Sequence, residues 1–483
     1  MHSFRTVRFA LTALVLAAGA SLAHADDAAI KAAIDKQLAD PAMSHGWTGV
    51  LVKSLTTHRV IYALNEDRLF IPASNMKLVV SSCCTDVLPK DFKYTTPVLR
   101  DGSLDGATLN GNLYLRGSGD STLEAKDLTE MAKAVKAAGI SEVNGDIVGD
   151  GSCFDSQRLG YSWGWDDLAA YYSAEIDGLT VDRGTVHVAV TAGDIGNPPV
   201  VTMNPDAGYM LIRNSAITVA DSTPETIVID RPMAANVVTV SGNMHRSVVG
   251  YVGKGPKIQN EDVTMEEPAV YTAYLFRKLL RDQGVTVTGS ARGGVAPQGA
   301  TQVVSHDSLP LPGILKLLNK PSDNLMAESL LKTLGMVKTG KGSTSAGAAV
   351  EKEYLKKIGV GADSVFIEDG SGLSRLDLVT PTALASVLEY MWSHPNRDAF
   401  IDSLPIAGVD GSLRNRLTGT AAANNVRAKT GYVGKARNLA GYVSTKDGEP
   451  LVLVLLMNHY NGETSSINTV QDRICEILAN SSQ

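Results

Sequence analysis

Phe70-Ile-Pro-Ala-Ser-Asn-Met-Lys77 runs directly into Leu78-Val-Val-Ser-Ser-Cys-Cys84. An apolar lead-in ends at Pro72, and the residues after Ser74 are mostly apolar. Proline is tolerated in the first turn of a helix but not in its interior, so a helix is expected to begin near Ala73 or Ser74. Ser74 and Lys77 then stand at i and i+3, on one face of the first turn. A hydroxyl beside an amine on a largely buried helix is the layout of an activated serine nucleophile. A lysine serves as its base only when desolvation lowers its proton affinity, and an apolar helix provides that setting. Spacing alone is weak: Ser329-Leu-Leu-Lys332 matches it equally well. Downstream sequence has to separate the two.

The chain has 483 residues, too many for one ordinary core, so two or three domains are expected. Its composition, 44% hydrophobic and 20% charged, is that of a soluble globular protein. Met1 to Ala25 reads as a signal peptide: Arg5 and Arg8 form a positive n-region, Phe9 to Ala20 the apolar core, and Ala23-His-Ala25 the cleavage site. The mature chain is expected to start at Asp26 and to be exported to the periplasm. The apolar run is too short to span a bilayer comfortably, and no later stretch reads as a membrane span. Without Arg5 and Arg8 there are 42 basic against 51 acidic residues, a net of −9. That balance argues against nucleic acid or anionic lipid as the main partner. The four cysteines and nine histidines show no zinc spacing, so no metal or other cofactor is expected. Cys83 and Cys84 read as small buried hydrophobes; Cys153 and Cys475 are left open as a pair.

Val50–Val52 and Val60–Tyr62 flank a polar turn and read as a hairpin leading into the Ser74 helix. From about Thr95 to Thr264 the chain is rich in β-branched residues and turns, with Thr185–Val190, Thr226–Ile229 and Val237–Val240 the clearest strands. A helix interrupts it, with Leu128, Met131, Ala132 and Val135 on one face. Helical texture covers Pro268–Gly284, Leu311–Lys320, Leu325–Leu334 and Ala348–Lys357. Leu439–Ser444 and Leu451–Met457 make a second hairpin, and a last helix carries Ile467, Val470, Ile474 and Leu478. Strands at both ends suggest one sheet built from both termini. The expected organisation is a discontinuous domain, 26–94 and 265–483, interrupted by a β-rich insertion at 95–264, with a small α/β subdomain nested around 120–160.

Three short motifs occur in order: Ser74-x-x-Lys77, Ser322-Asp-Asn324 behind Pro321, and Lys429-Thr-Gly431 at the entry to the second hairpin. This order is the signature of penicillin-recognising serine acyltransferases. Ser241-Gly-Asn243 and Lys338-Thr-Gly340 duplicate two of the motifs. The first lies inside the β-rich region, and the second follows a helix like a C-terminal cap.

With these motifs the chain resembles the D-alanyl-D-alanine carboxypeptidases and endopeptidases, the low-molecular-mass class C penicillin-binding proteins. Asp369-Gly-Ser-Gly-Leu-Ser-Arg375, Asp410-Gly-Ser-Leu413 and Asn438-Leu-Ala-Gly-Tyr442 support the resemblance, as does the long insertion between the first two motifs. Gly117-Ser-Gly-Asp-Ser121 departs from it, lacking a proline after the Asp. The resemblance implies an α/β (α+β) transpeptidase-like domain: an antiparallel sheet sandwiched by helices, a helical lobe, and a β-rich inserted region.

It also implies roles. Ser74 attacks the carbonyl of the penultimate D-Ala, and Lys77 takes its proton. Ser322 relays a proton between Lys77 and Lys429. Asn324 holds Lys77 and the substrate amide, because its side chain both donates and accepts. Lys429 faces the terminal carboxylate, Thr430 bonds it, and Gly431 completes the motif. Backbone N–H groups of Ser74 and Tyr432 form the oxyanion hole, each donor worth about 3 kcal/mol. Arg375 and Asp150 are further candidates for holding an amino acid with its own carboxylate and ammonium. The partners implied are peptidoglycan peptides and β-lactams. A β-lactamase or esterase on the same fold, and a non-catalytic wall-binding protein, are the competing readings. The absence of an identifiable deacylating Glu argues against the former, and the complete Ser-Lys-Ser-Asn-Lys set against the latter.

Overall fold

The apolar runs near the two ends of the chain meet in one antiparallel sheet. In the computed structural model, which describes residues 27–247 and 257–482, this sheet comprises β1 (Trp47–Ser54), β2 (Val60–Leu64), β3 (Arg427–Val433), β4 (Ala436–Ser444) and β5 (Pro450–Asn458). Its strand order is β2-β1-β5-β4-β3. β1 pairs with β5 along its whole length, from Trp47 opposite Asn458 to Ser54 opposite Leu451. Central β5 is buried from Leu451 through Asn458, as a strand covered on both faces must be.

Three helices flank this sheet: α1 (Met76–Val87), α2 (Pro381–Trp392) and α3 (Thr464–Asn480). Ile467, Val470, Ile474 and Leu478 of α3 share a core with Val52, Leu439 and Leu453. The α3 residues recur at helical spacing, which fixes the face that the helix presents to the sheet. α2, which no motif foreshadows, starts at Pro381 and is capped by Thr380, whose hydroxyl accepts the Ala383 N–H at 3.1 Å. On α2's side of the sheet, Gly49 is a spacing device: a Cβ there would lie 2.5 Å from Phe70 and 2.8 Å from Pro381.

The chain divides into two compact units. The first, carrying this sheet, comprises the residues up to Asp86, Leu315–Ser322, and Glu351 onward. The second comprises Val87–Ile314 and Asp323–Val350, a wider span than 95–264. Within it, one five-stranded sheet joins Ala291–Gly293 and Thr301–Asp307 to strands at 147–150, 113–116 and 95–100. A four-stranded sheet likewise pairs Thr286–Val287 with Glu142–Val143. The helix Ala125–Ala137 buries Leu128, Met131, Ala132 and Val135 in the core that holds Phe276 and Leu280 of the helix Pro268–Asp282. The region around 120–160 thus draws its sheet partners and core from sequence on both sides of it. Thr185–Thr191, Val228–Asp230 and Val237–Ser241 are strands.

The expected signal segment 1–25 lies outside the described residues. Among the described residues no helix is long and apolar enough to cross a membrane. All four cysteines are free thiols, and burial pushes Cys153 and Cys475 up to about 12.

Candidate active site

Pro72 ends the apolar lead-in, Ala73–Asn75 form a single 3₁₀ turn, and α1 follows at Met76. Ser74 and Lys77 thereby come to one face. The Lys77 ammonium nitrogen, fully buried, lies 3.1 Å from Ser74 Oγ and donates to the Ser371 carbonyl at 2.7 Å. Ser74 itself is partly open to solvent. The nucleophile candidate is accessible and its base candidate is not.

Ser371 is presented by a loop that one carboxylate shapes. Asp369 accepts the Gly372 N–H at 2.6 Å and the Ser374 N–H at 2.7 Å. Gly372 sits at φ +78°, and a Cβ on it would lie 1.8 Å from the Ala73 carbonyl oxygen. Only glycine lets this loop close on the turn that carries Ser74. Asp377, behind the loop, is pushed well above the usual carboxylate range by burial and then by Asp369.

β3 passes on the other side of Ser74. Asn75 donates to the Lys429 carbonyl at 3.1 Å. A Cβ on Gly431 would stand 2.6 Å from both Asn75 Oδ1 and the Pro72 carbonyl, so the glycine of Lys429-Thr-Gly431 is what admits the strand this close. Asn438 on β4 donates to the carbonyls of Ile71 (2.9 Å) and Pro72 (2.7 Å), and accepts from the Met457 N–H at 3.0 Å. Asn458 accepts the Ile71 N–H at 2.7 Å. The lead-in to Ser74 is thus sewn to the sheet by two buried amides.

Lys429 is completely buried and donates to Ser322 Oγ at 2.8 Å and to the Thr430 carbonyl at 2.9 Å. Burial first, then the charge of Lys77, then that of Arg437 hold it well below the usual lysine range. Ser322 adopts φ +68°, a left-handed conformation that non-glycine residues rarely hold. Thr430 exchanges a hydrogen bond with Ser412 at 2.7 Å.

The sequence matches the D-Ala-D-Ala carboxypeptidase 3 (S13) family over residues 30–481. The chain belongs to that family. It is accordingly a serine-type D-Ala-D-Ala carboxypeptidase. It is 35% identical to the D-alanyl-D-alanine carboxypeptidase of Actinomadura sp. (strain R39), over 98% of this chain and 88% of the relative. It is 29% identical to D-alanyl-D-alanine carboxypeptidase DacB of Haemophilus influenzae, over 86% of this chain and 85% of the relative. The crystal structure of penicillin binding protein 4 (dacB) from Haemophilus influenzae superposes with a TM-score of 0.82 at 25% identity, covering 92% of this chain and 99% of that one.

The remaining candidates of this S13 carboxypeptidase fall as follows. Asn324 opens the helix Asn324–Thr339 of the second unit, where its side chain donates to the Tyr172 carbonyl at 2.8 Å. Tyr432 is 56% exposed, with the Arg437 guanidinium 5.7 Å from its ring. Arg375 is exposed and donates to the Gly434 carbonyl at 3.3 Å, just past β3. Asp150 is buried, and its two oxygens accept the N–H groups of Ser152 (2.9 Å) and Ala296 (2.8 Å), a carboxylate engaged by backbone. In the duplicate Ser329-Leu-Leu-Lys332, the lysine is turned to Asp155 and the Gln157 carbonyl, both at 2.6 Å. Lys338 is exposed in the last turn of its helix, ahead of the left-handed cap Gly340.

Sequence reading did not single out Asn458, and quoted Asn75, Asp369 and Asn438 only as parts of motifs. Each is a polar residue in an otherwise apolar or glycine-rich run. That was the available signal: such a side chain is buried only if backbone groups satisfy it.

Proposed function

We propose that Ser74 is the acylated nucleophile of a D-alanyl-D-alanine carboxypeptidase and/or endopeptidase that acts on peptidoglycan stem peptides and cross-links. The carrying observation is the pairing of a fully buried Lys77 nitrogen, 3.1 Å away, with a Ser74 hydroxyl that remains open. Lys77, in its neutral form, takes the Ser74 proton as the hydroxyl oxygen attacks the carbonyl of the penultimate D-Ala. Developing negative charge on that carbonyl oxygen is met by the backbone N–H groups of Ser74 and Tyr432.

Ser322, held by Lys429, passes a proton to the leaving amine, and D-alanine or the cross-linked amine departs. Lys429, Thr430 and Gly431 face the substrate's terminal carboxylate, and Asn324 is assigned by its motif to the substrate amide. Arg375 is assigned to the stem peptide, with Asp150 a weaker candidate because its oxygens already serve backbone groups. Water then releases the shortened peptide. A β-lactam, which offers a strained acyl carbonyl beside a carboxylate, acylates the same Ser74. The signal-like segment supports a periplasmic location after cleavage behind Ala25.

Labelling with fluorescent penicillin tests this reading. Ser74→Ala should abolish both labelling and D-Ala release in folded protein, and Ser329→Ala should leave both intact. Loss of labelling in a folded Ser329→Ala protein would overturn the choice of nucleophile.

A further inference from the structure

Beside the segment that leads into Ser74, the first unit has a concavity of about 280 Å³. Trp47, Leu69, Phe70 and Leu378 give it an apolar wall, and Arg68 and His459 supply its basic groups. Among the described residues no carboxylate lines it. Trp47 is 59% exposed and Leu69 41%, so the aromatic face is open to a ligand rather than spent on the core. Asn458 also lines it, and its side chain accepts the Ile71 N–H at 2.7 Å, which ties two of the lining residues together. The volume falls just below the roughly 300–1,000 Å³ of small-molecule sites, which suits one or two residues and not a whole stem.

We propose that this pocket binds the free carboxylate end of a second stem peptide, the carboxylate on Arg68 and His459 and the alanyl methyl groups against Trp47 and Leu378. The inference rests on peptidoglycan being the substrate. A polymer presents many peptide ends at once, so a weak second site lengthens residence by making the next encounter intramolecular. Monomeric substrates gain nothing from it.

The test uses full-length protein carrying 5-fluorotryptophan, with the Trp47 fluorine signal assigned from Trp47→Phe. N-acetyl-D-alanyl-D-alanine should shift that signal saturably. The methyl ester, which lacks the carboxylate, should not, and Arg68→Gln should weaken the shift at least tenfold. On polymeric murein, Arg68→Gln should raise KM severalfold with kcat unchanged, and on the soluble monomer it should change neither. No shift, or equal shifts by acid and ester or by wild type and Arg68→Gln, would overturn the pocket assignment. A Trp47 shift without any D-Ala release would spare the pocket and sink the proposed function instead, because the readout does not pass through Ser74.

Discussion

Lys429 on β3 and Ser322, which ends the Leu315–Ser322 segment, are held 2.8 Å apart, ammonium to hydroxyl, although they lie 107 positions apart in sequence. The lysine has no solvent contact, so its charge is expressed on its few neighbours. We expect Lys429→Gln to slow acylation by β-lactams by about 10²–10³-fold, the usual cost of losing one preorganised electrostatic group. Lys338→Gln, at the exposed duplicate, should be silent in the same assay. Equal effects would undo the assignment.

The same burial makes a stability prediction with a definite sign. Lys429 is held well below the lysine value of 10.5, so across the interval beneath 10.5 the unfolded chain binds the proton more readily than the folded one. Its contribution is therefore least favourable at low pH and recovers as pH rises towards 10.5. Lys429→Met should raise the denaturant midpoint at neutral pH, and the gain should shrink in alkaline buffer, even as acylation fails. A destabilised Lys429→Met protein at pH 7 would contradict this.

Asn438 satisfies two carbonyls of the lead-in and accepts one backbone N–H of β5. Truncation to Ala leaves buried groups unpaired at about 1–3 kcal/mol each. Asn438→Ala should lose at least about 3 kcal/mol in urea unfolding. Acylation of the fraction that remains folded should also slow, since Ile71 and Pro72 set the entry angle of Ser74.

Gly431→Ala tests close approach without removing any polar group. Overpacking of this kind costs typically about 1–3 kcal/mol. The added methyl would press on Asn75 and Pro72, 2.6 Å away, and so move the turn that holds Ser74. Penicillin acylation should fall at least tenfold while circular dichroism stays native.

Excision of 95–264 with a short Gly/Ser linker asks where the second unit ends. The cut removes the strands at 147–150 and 95–100 but leaves their partners, Ala291–Gly293 and Thr301–Asp307. Exposed orphan edges aggregate. We expect insoluble protein from this deletion; a soluble, penicillin-labelled product would show that 265–314 folds without its sheet.

The sheet and its helices were legible because Leu451 to Met457 on β5 is an unbroken apolar run of strand length and the apolar residues from Ile467 to Leu478 on α3 recur at helical spacing. The motif residues were legible because order and spacing survive in one dimension. The extent of the second unit was not. Ala291–Gly293 is short, glycine-containing and half exposed, and its role lies in its parallel pairing with Ile147–Gly149. At Asp150 a turn carboxylate and a ligand carboxylate are the same letter, and the amides of Ser152 and Ala296 that its oxygens accept are not visible in one dimension. The second Ser-x-x-Lys was indistinguishable by spacing, since Asp155 and Gln157, which draw Lys332 away, are remote in sequence.

The pairing of β1 with β5 has a bearing on when this hydrolase can first act. Trp47 meets Asn458 near the opposite end of the chain, and Asn438, which pins the Ser74 lead-in, emerges only shortly before it. A growing polypeptide therefore carries Ser74 and Lys77 without the β4 and β5 amides that align them until those strands have been made. Contacts so distant along the chain are also the slowest to close. Chains halted short of β5 lack the centre of the sheet against which the Ser74 lead-in is pinned, so the bond-cutting competence of this fold is withheld until that strand has been made.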